Sequence, residues 1–407
     1  MKEKLSTESY KGVRDFYPNE QALQNYILEV MALTTESFGY EEYGASILEP
    51  LELYEAKSGE EIVREQTYSF EDRGGRNVTL RPEMTPTLAR MVARKRRELT
   101  FPLRWYSIPN VFRYERPQRG RLREHWQLNV DVFGITDIKA ETEVISLANE
   151  IMMNFGASKE GFEIRIGNRK LLDAKLSELQ VPQEKHAHVL SLLDKKDKDE
   201  EACQELISIV GNADLDIKPD EEITSLLESL KDAGVESAHF DNSIVRGFDY
   251  YTGVVFEVFD TADGNNRSLF GGGRYDNLLE VFGEKPIPAV GFGMGDVTMR
   301  DFLETHELLP ELGSATDIHL CTVDDSALPT AYTLASRLRG EGIHVSVNLT
   351  DKKVGDQVKL AHKKGIPFVI CIGEKEEKAQ AFTIKNLKTE EEKEVPVSEI
   401  ASFIVGD

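Results

Sequence analysis

The chain has 407 residues, 40% apolar and 30% charged, enough to bury a sizeable core divided among two or three domains. Its formal net charge of −23 argues for solubility and against unspecific nucleic-acid binding, so any RNA must be met on local basic patches. Cys203, Cys321 and Cys371 lie too far apart for zinc or redox spacing and read as inert thiols, while a polar start and the lack of any bilayer-length apolar run make the cytoplasm the expected compartment.

A polar-aromatic lead-in, Lys11-Gly-Val-Arg-Asp-Phe-Tyr-Pro18, runs into helical spacing from Ala22 to Phe38, with Pro18 where a helix begins. Ile47-Leu-Glu-Pro50 reads as a short strand. Thr79-Leu-Arg-Pro-Glu-Met-Thr-Pro-Thr-Leu-Ala-Arg90 ends a strand and opens a helix. Pro82 fits the turn, and Glu83 and Thr85 stand where side-chain acceptors can cap exposed N–H groups.

The segment Asn110–Gly134 is two alternating runs around a polar, Arg-rich loop with a Pro and a Gly, the pattern of an antiparallel hairpin with a long tip. Arg113 and Glu115 share a face of the first run. In the second, Trp126, Leu128, Val130 and Val132 point one way and Gln127, Asn129 and Asp131 the other. From Arg90 to Arg123 there are eleven Arg or Lys against two acids, a local +9 in an acidic chain, which suggests a polyanion partner.

Beyond Gly134, Lys139 to Phe155 has an amphipathic helical pattern and Phe162-Glu-Ile-Arg-Ile-Gly167 an alternating strand pattern. From about Lys170 to Gly234, Leu-rich helical segments alternate with charge runs such as Asp194–Glu201, read as a solvated turn. Strand signals return at Ile244–Phe259, which contains Arg246-Gly-Phe-Asp-Tyr-Tyr-Thr-Gly253; its two glycines allow close backbone approach. Gly271-Gly-Gly-Arg-Tyr-Asp276 and the glycine-rich strand-to-helix stretch Ala289–Leu303 follow, then a linker at Leu308–Gly313. From Asp317 the pattern is βαβαβ, ending in the apolar strand Pro367–Ile372 of a mostly parallel sheet. Lys352, Lys353, Lys359, Lys363 and Lys364 gather around one of its helices.

Phe112-Arg-x-Glu115, the Arg-Pro-Gln loop and Gln127-x-x-x-Asp131-Val-Phe-Gly134 resemble motif 2 of the class II aminoacyl-tRNA synthetases, in the version carried by histidyl-tRNA synthetases. Arg246–Gly253 closely matches a signature confined to that family and its relatives. The helix with Ile47–Pro50 resembles motif 1, which forms the family's dimer interface. Ala289–Leu303 stands where motif 3 completes the ATP site, but Thr298 occupies the place usually held by an arginine. The resemblance implies an α+β catalytic domain, an antiparallel sheet flanked by helices, over 1–169 and 235–312. It implies a helical insertion over 170–234 and a C-terminal α/β anticodon-binding domain over 315–407.

The activity implied is histidine–tRNA ligation by a homodimer: ATP, with Mg²⁺, activates L-histidine to histidyl-adenylate, and the histidyl group passes to the 3′ end of tRNA(His). Arg246 and Arg113 are the implied catalytic residues. Histidine would be held by Glu83, Thr85, Gln127, Asp131, Arg246, Tyr250 and Tyr251, with Asp131 one methylene shorter than the Glu of many relatives. ATP would be held by Arg113, Glu115, Arg121 and Arg274, and tRNA by Arg116, Gln118, Arg119 and Arg123. The metal would ride on the phosphates, with no site made of protein ligands alone. A different class of function is offered by a noncatalytic paralogue that senses histidine and regulates ATP phosphoribosyltransferase. That resemblance predicts decay around Arg246 and loss of the C-terminal domain, whereas this sequence keeps both the Arg246 motif and the C-terminal segment.

Overall fold

The computed structural model describes residues 5–55, 66–196, 199–212, 214–244, 250–262, 268–373 and 381–406. Two units emerge, Met1–Pro310 and Glu311–Asp407. The first begins with α1 (Pro18–Ser37), which carries Pro18 in its first turn, where a missing N–H is harmless. Then come β1 (Glu41–Glu42), β2 (Leu48–Pro50), the single turn α2 (Glu52–Glu55), β3 (Tyr68–Glu71), β4 (Asn77–Leu80) and α3 (Thr85–Lys95). β2, β4 and β3 form a small antiparallel sheet in that order.

After β5 (Leu103–Ser107), β6 (Asn110–Phe112) and β7 (Glu124–Phe133) come α4 (Lys139–Asn154) and β8 (Phe162–Asn168). Four helices follow, α5 (Arg169–Glu178), α6 (His186–Lys195), α7 (Glu200–Val210) and α8 (Glu221–Asp232), then β9 (Ala238–Phe240), β10 (Val254–Asp260), β11 (Ser268–Arg274), β12 (Ala289–Gly295) and α9 (Asp296–Thr305). The large sheet runs β1-β5-β7-β12-β11-β10-β8-β9, with β6 paired to β7. Its centre is antiparallel, as expected, but both edges pair parallel: β1 with β5 and β8 with β9. The intervening helices are long enough for the crossovers that parallel pairing needs.

One face of this sheet carries Leu128, Val130, Val132, Ile164, Ile166, Val254, Phe256 and Met294 into a core capped by Ile27, Met31, Ile151, Leu226 and Phe302 of the helices. Each such side chain contributes about 1.5–3 kcal/mol when fully buried. On the opposite face Leu88, Ala89 and Val92 of α3 pack with Phe133, Val255 and Tyr275, at the margin of a polar hollow.

The helical stretch expected to form one insertion is divided. α5–α7 share their own core of Leu172, Leu176, Val189, Leu192 and Leu206. α8 instead presents Ile223, Leu226 and Leu230, an i, i+3, i+7 stripe, to the main core. Within the charge run, Asp199 accepts from the N–H groups of Glu201 and Ala202 and so caps α7.

The second unit comprises β13 (Ile318–Thr322), α10 (Leu328–Gly340), β14 (Val345–Val347), α11 (Val354–Lys363), β15 (Phe368–Ile372), β16 (Ala381–Asn386), β17 (Glu392–Pro396) and α12 (Ile400–Gly406). β14, β13 and β15 are parallel, matching the βαβαβ pattern. β16 and β17 extend the sheet antiparallel, a hairpin outside the expected pattern that turns Phe382, Ile384 and Val395 into the core. Cys321 and Cys371 stand opposite each other on β13 and β15; neither forms a disulfide, Cys321 is buried and Cys371 exposed, a juxtaposition hidden by their sequence separation. Among the described residues no helix is long and apolar enough to cross a membrane.

Candidate active site

The hollow is built where the turn before α3 meets the hairpin. Arg81, buried, donates from Nε to the Asn110 carbonyl (2.8 Å) and from Nη1 to the Ala45 carbonyl (2.9 Å). The Phe112 N–H returns a bond to the Arg81 carbonyl (3.0 Å), and Arg113 Nε reaches the Pro82 carbonyl (2.9 Å). These bonds fix the backbone of Pro82-Glu83 against the start of the hairpin. The N-cap position of α3 is Met84, whose side chain makes no capping bond. The Glu83 carboxylate accepts from the Tyr250 hydroxyl at 3.5 Å.

A cavity of about 100 Å³ opens here. Its walls include Glu83, Thr85, Arg113, Gln127, Asp131, Tyr250 and Tyr251, so these expected site residues are brought together from four separate stretches of chain. Arg246 lies outside the described residues. Strand parity explains the convergence on β7, whose odd-numbered Gln127, Asn129 and Asp131 face the cavity while Leu128, Val130 and Val132 enter the core. The facing floor is bare backbone. Gly291 pairs with Asp131 in register, and a Cβ there would sit 2.2 Å from an Asp131 oxygen. A Cβ at Gly293 would sit 2.7 Å from Gln127 Nε2. The glycines leave the room that these two side chains fill.

Asp131 is buried, and burial pushes its carboxyl up to about 7; a hydrogen bond from the Tyr275 hydroxyl pulls the other way. The Tyr275 hydroxyl is held well above the usual phenol range by burial and by the Asp131 carboxylate. Behind Arg113, burial pushes His125 down to about 3, helped by the Arg113 and Arg14 charges, so its ring is neutral near pH 7.

Glu115, Arg116, Gln118 and Arg121 lie together in a second cavity of about 280 Å³, with Gln66 and Tyr114. Residues expected to divide between ATP and tRNA thus share one wall. Arg121 Nη1 is 3.6 Å from the Glu115 carboxylate. The hairpin tip closes through reciprocal backbone bonds between Gln118 and Arg121, and Arg119 reaches across to Asp301 of α9 at 2.6 Å. Thr298 lies beneath Gly120 and bonds the Gly295 carbonyl (3.1 Å). Arg300, two residues on, turns away and pairs with Glu304 at 2.8 Å.

Two of the expected residues are engaged by partners within the fold. Arg274 lies on the helix side of β11, opposite in parity to the cavity glycines, and its guanidinium binds both Glu141 oxygens and the Ile135 and Asp137 carbonyls. Arg123 is buried, not presented to RNA. It bonds the Glu115 carbonyl (3.1 Å) and the Tyr10 hydroxyl (3.1 Å) and stacks on Tyr114, clasping the lead-in to the hairpin.

Asn129 and Tyr275 also line the cavity, and neither was singled out. Asn129 shared its parity with Gln127 and Asp131. Tyr275 directly follows β11, whose three glycines leave no side-chain alternation to show which face it takes.

The family model described as "Histidyl-tRNA synthetase" matches residues 12–214 and 204–296, and the model described as "Anticodon binding domain" matches 317–406. A protein named histidine–tRNA ligase from Leptospira biflexa is 46% identical over 414 aligned residues, 95% of each chain. Another of that name, from Thermoplasma volcanium, is 35% identical over 98% of this chain and 99% of its own. The crystal structure of histidyl-tRNA synthetase from Nostoc sp. PCC 7120 superposes with a TM-score of 0.84 at 24% identity, covering 99% and 100% of the two chains, a likeness of fold. A Bacillus halodurans structure titled as an ATP phosphoribosyltransferase regulatory subunit/histidyl-tRNA synthetase gives 0.72 at 25% identity over 91% and 99%. With the fold, the cavity and the sequence in agreement over nearly its whole length, the chain belongs to the histidyl-tRNA synthetase family.

Proposed function

We propose that this chain is a histidine–tRNA ligase, and the observation that carries this is the gathering of Glu83, Gln127, Asp131 and Arg113 around one small glycine-floored cavity. Glu83 takes the α-amino group of L-histidine and Gln127 assists it. Asp131 accepts from an imidazole N–H; a buried acceptor left unpaired penalises rings that cannot donate. The substrate carboxylate, already anionic, attacks the α-phosphorus of ATP as the bond to pyrophosphate breaks. Alignment and positive charge are what this step demands, and Arg113 stands at the cavity wall to supply them. Arg246 keeps its proposed place from the sequence alone.

ATP extends toward the second cavity, where Arg121 meets its phosphates. Mg²⁺ bound with ATP neutralises phosphate charge. Among the described residues no cluster of three or more His, Cys, Asp or Glu could hold a metal, and Glu115 is the carboxylate on that wall available to an ion carried by the nucleotide. Arg116, Gln118 and Arg119 are exposed and serve the tRNA end, and the exposed lysines around α11 serve its anticodon arm. The chain acts in the cytoplasm as a homodimer through α1 and β2, where Leu33 and Leu48 are exposed.

The regulatory alternative is disfavoured by a second unit matching the anticodon-binding model and by the 46% identity to a named ligase. Charging of a tRNA(His) transcript with labelled histidine tests the proposal. Charging that depends on ATP supports it, and a folded chain that leaves the transcript uncharged contradicts it.

A further inference from the structure

We infer that Tyr275 is the positioning residue for imidazole recognition: its hydroxyl holds one Asp131 oxygen so that the other is offered to a substrate ring N–H. This rests on the proposed histidine-binding role of the cavity. The Tyr275 hydroxyl donates to Asp131 Oδ1, and among the described residues it is the carboxyl's sole hydrogen-bond partner. The carboxyl leans over Gly291, where a Cβ would stand 2.2 Å from Oδ1, so the strand opposite offers space but no anchor. The anchor has to come from Tyr275.

Tyr275 is itself fixed. Its N–H bonds the Ala289 carbonyl (2.8 Å), and its ring stands edge-on to Phe133 (6.0 Å between centroids) and to Tyr250 (5.7 Å). The hydroxyl therefore arrives at one point. A carboxylate with one oxygen occupied keeps its second for the substrate, and a donor to the ionised form opposes the burial that would neutralise it. The phenol thus orients the acceptor and keeps it an acceptor near neutral pH. Other titratable or charged groups facing this region are Glu83, Arg113, Tyr250 and Tyr251 in the cavity, with Tyr40 and Tyr43 close enough to feel the Asp131 charge. The adjoining cavity positions of β11 and β12 are Gly271, Gly291, Phe292 and Gly293, none of them titratable.

Tyr275→Phe keeps the ring and removes the hydroxyl. Histidine binding by calorimetry, without ATP, is compared with the wild type across pH, beside ATP–pyrophosphate exchange. The dissociation constant should rise roughly tenfold near pH 7.5, the scale of a hydrogen bond to a charged group. The gap should shrink to about threefold near pH 9, where Asp131 is ionised in both proteins, while the ATP KM stays within about twofold. In an Asp131→Asn background the same change should cost less than about threefold, because the two side chains act as one unit. A rise of equal size at every pH, full additivity with Asp131→Asn, or a dissociation constant within about twofold of wild type near pH 7.5 overturns the inference. So does loss of the fold in both backgrounds, which would mark the phenol as purely structural. A wild type that binds histidine without catalysing exchange defeats the ligase proposal, and the binding comparison still decides the role of Tyr275.

Discussion

Arg274 and Glu141 form a two-pronged ion pair in the core, with Nε and Nη2 each 2.6 Å from a carboxylate oxygen and both side chains almost fully buried. The pair ties β11 to α4 beneath the cavity floor. Arg274→Ala would leave the Glu141 charge buried and unpaired, a change that costs about 3–5 kcal/mol. Denaturant unfolding should show that loss, while the folded fraction binds ATP as before. Full stability with weakened ATP binding would return Arg274 to the nucleotide site.

Gly291→Ala places a methyl where an Asp131 oxygen now sits, 2.2 Å away, and also 2.5 Å from the Val130 carbonyl. Neither neighbour can yield cheaply, since one is backbone and the other is held by Tyr275. Histidine affinity should fall at least about tenfold and stability by roughly 1–3 kcal/mol, the usual cost of overpacking. Calorimetric histidine binding in the folded variant at wild-type strength would show that the carboxyl is not where substrate is read.

Asp131 titrates from about 7 in the folded chain, against about 3.9 unfolded. The folded chain binds this proton more tightly, so the stability that the group contributes is fully present below about pH 4 and is lost as pH rises through about 7. Asp131→Asn has no such titration. Its stability relative to the wild type should therefore climb between about pH 4 and 7, by about 1.4 kcal/mol for each pH unit crossed in the middle of that window, and level off above it. Parallel stability curves for the two proteins would mean that burial does not govern this carboxyl.

Arg123 and Arg119 lie four residues apart in one loop and have different work. Arg123→Ala should release the lead-in it clasps, seen as faster proteolysis near Tyr10 and a lower melting temperature. Arg119→Glu removes an exposed contact to Asp301 and should leave melting nearly unchanged while lowering tRNA charging more than ATP–pyrophosphate exchange. Equal effects of both changes on melting would contradict the assignment of Arg123 to the fold.

Much of the site was legible because β7 announces its pleat: apolar residues alternate with Gln127, Asn129 and Asp131, and the cavity takes the polar set. β11 gives no such announcement. Three successive glycines carry no side chains to show which parity faces the core, so charge drew attention to Arg274 when the residue beside it faced the site. The packing of Arg123 was illegible for a different reason. Its partners Tyr10 and Lys11 lie more than a hundred residues upstream, and no local pattern joins them. The division of the helical stretch was hidden because α8 has the same Leu-rich character as its neighbours and differs only in which core it meets. The β16–β17 hairpin escaped notice because its apolar stripe is short: Phe382 and Ile384 on β16, and Val395 alone among the charges of β17.

Histidine-dependent ATP–pyrophosphate exchange by the purified chain tests the ligase proposal most directly. The cavity predicts exchange with L-histidine and with no other standard amino acid, saturating in ATP in the ordinary range of about 1 μM to 1 mM. Arg121→Ala should weaken it at least about tenfold, whereas Arg300→Ala, already paired with Glu304 on the far side of α9, should change it little. A folded preparation that binds histidine yet catalyses no exchange would contradict the proposal and favour the regulatory alternative.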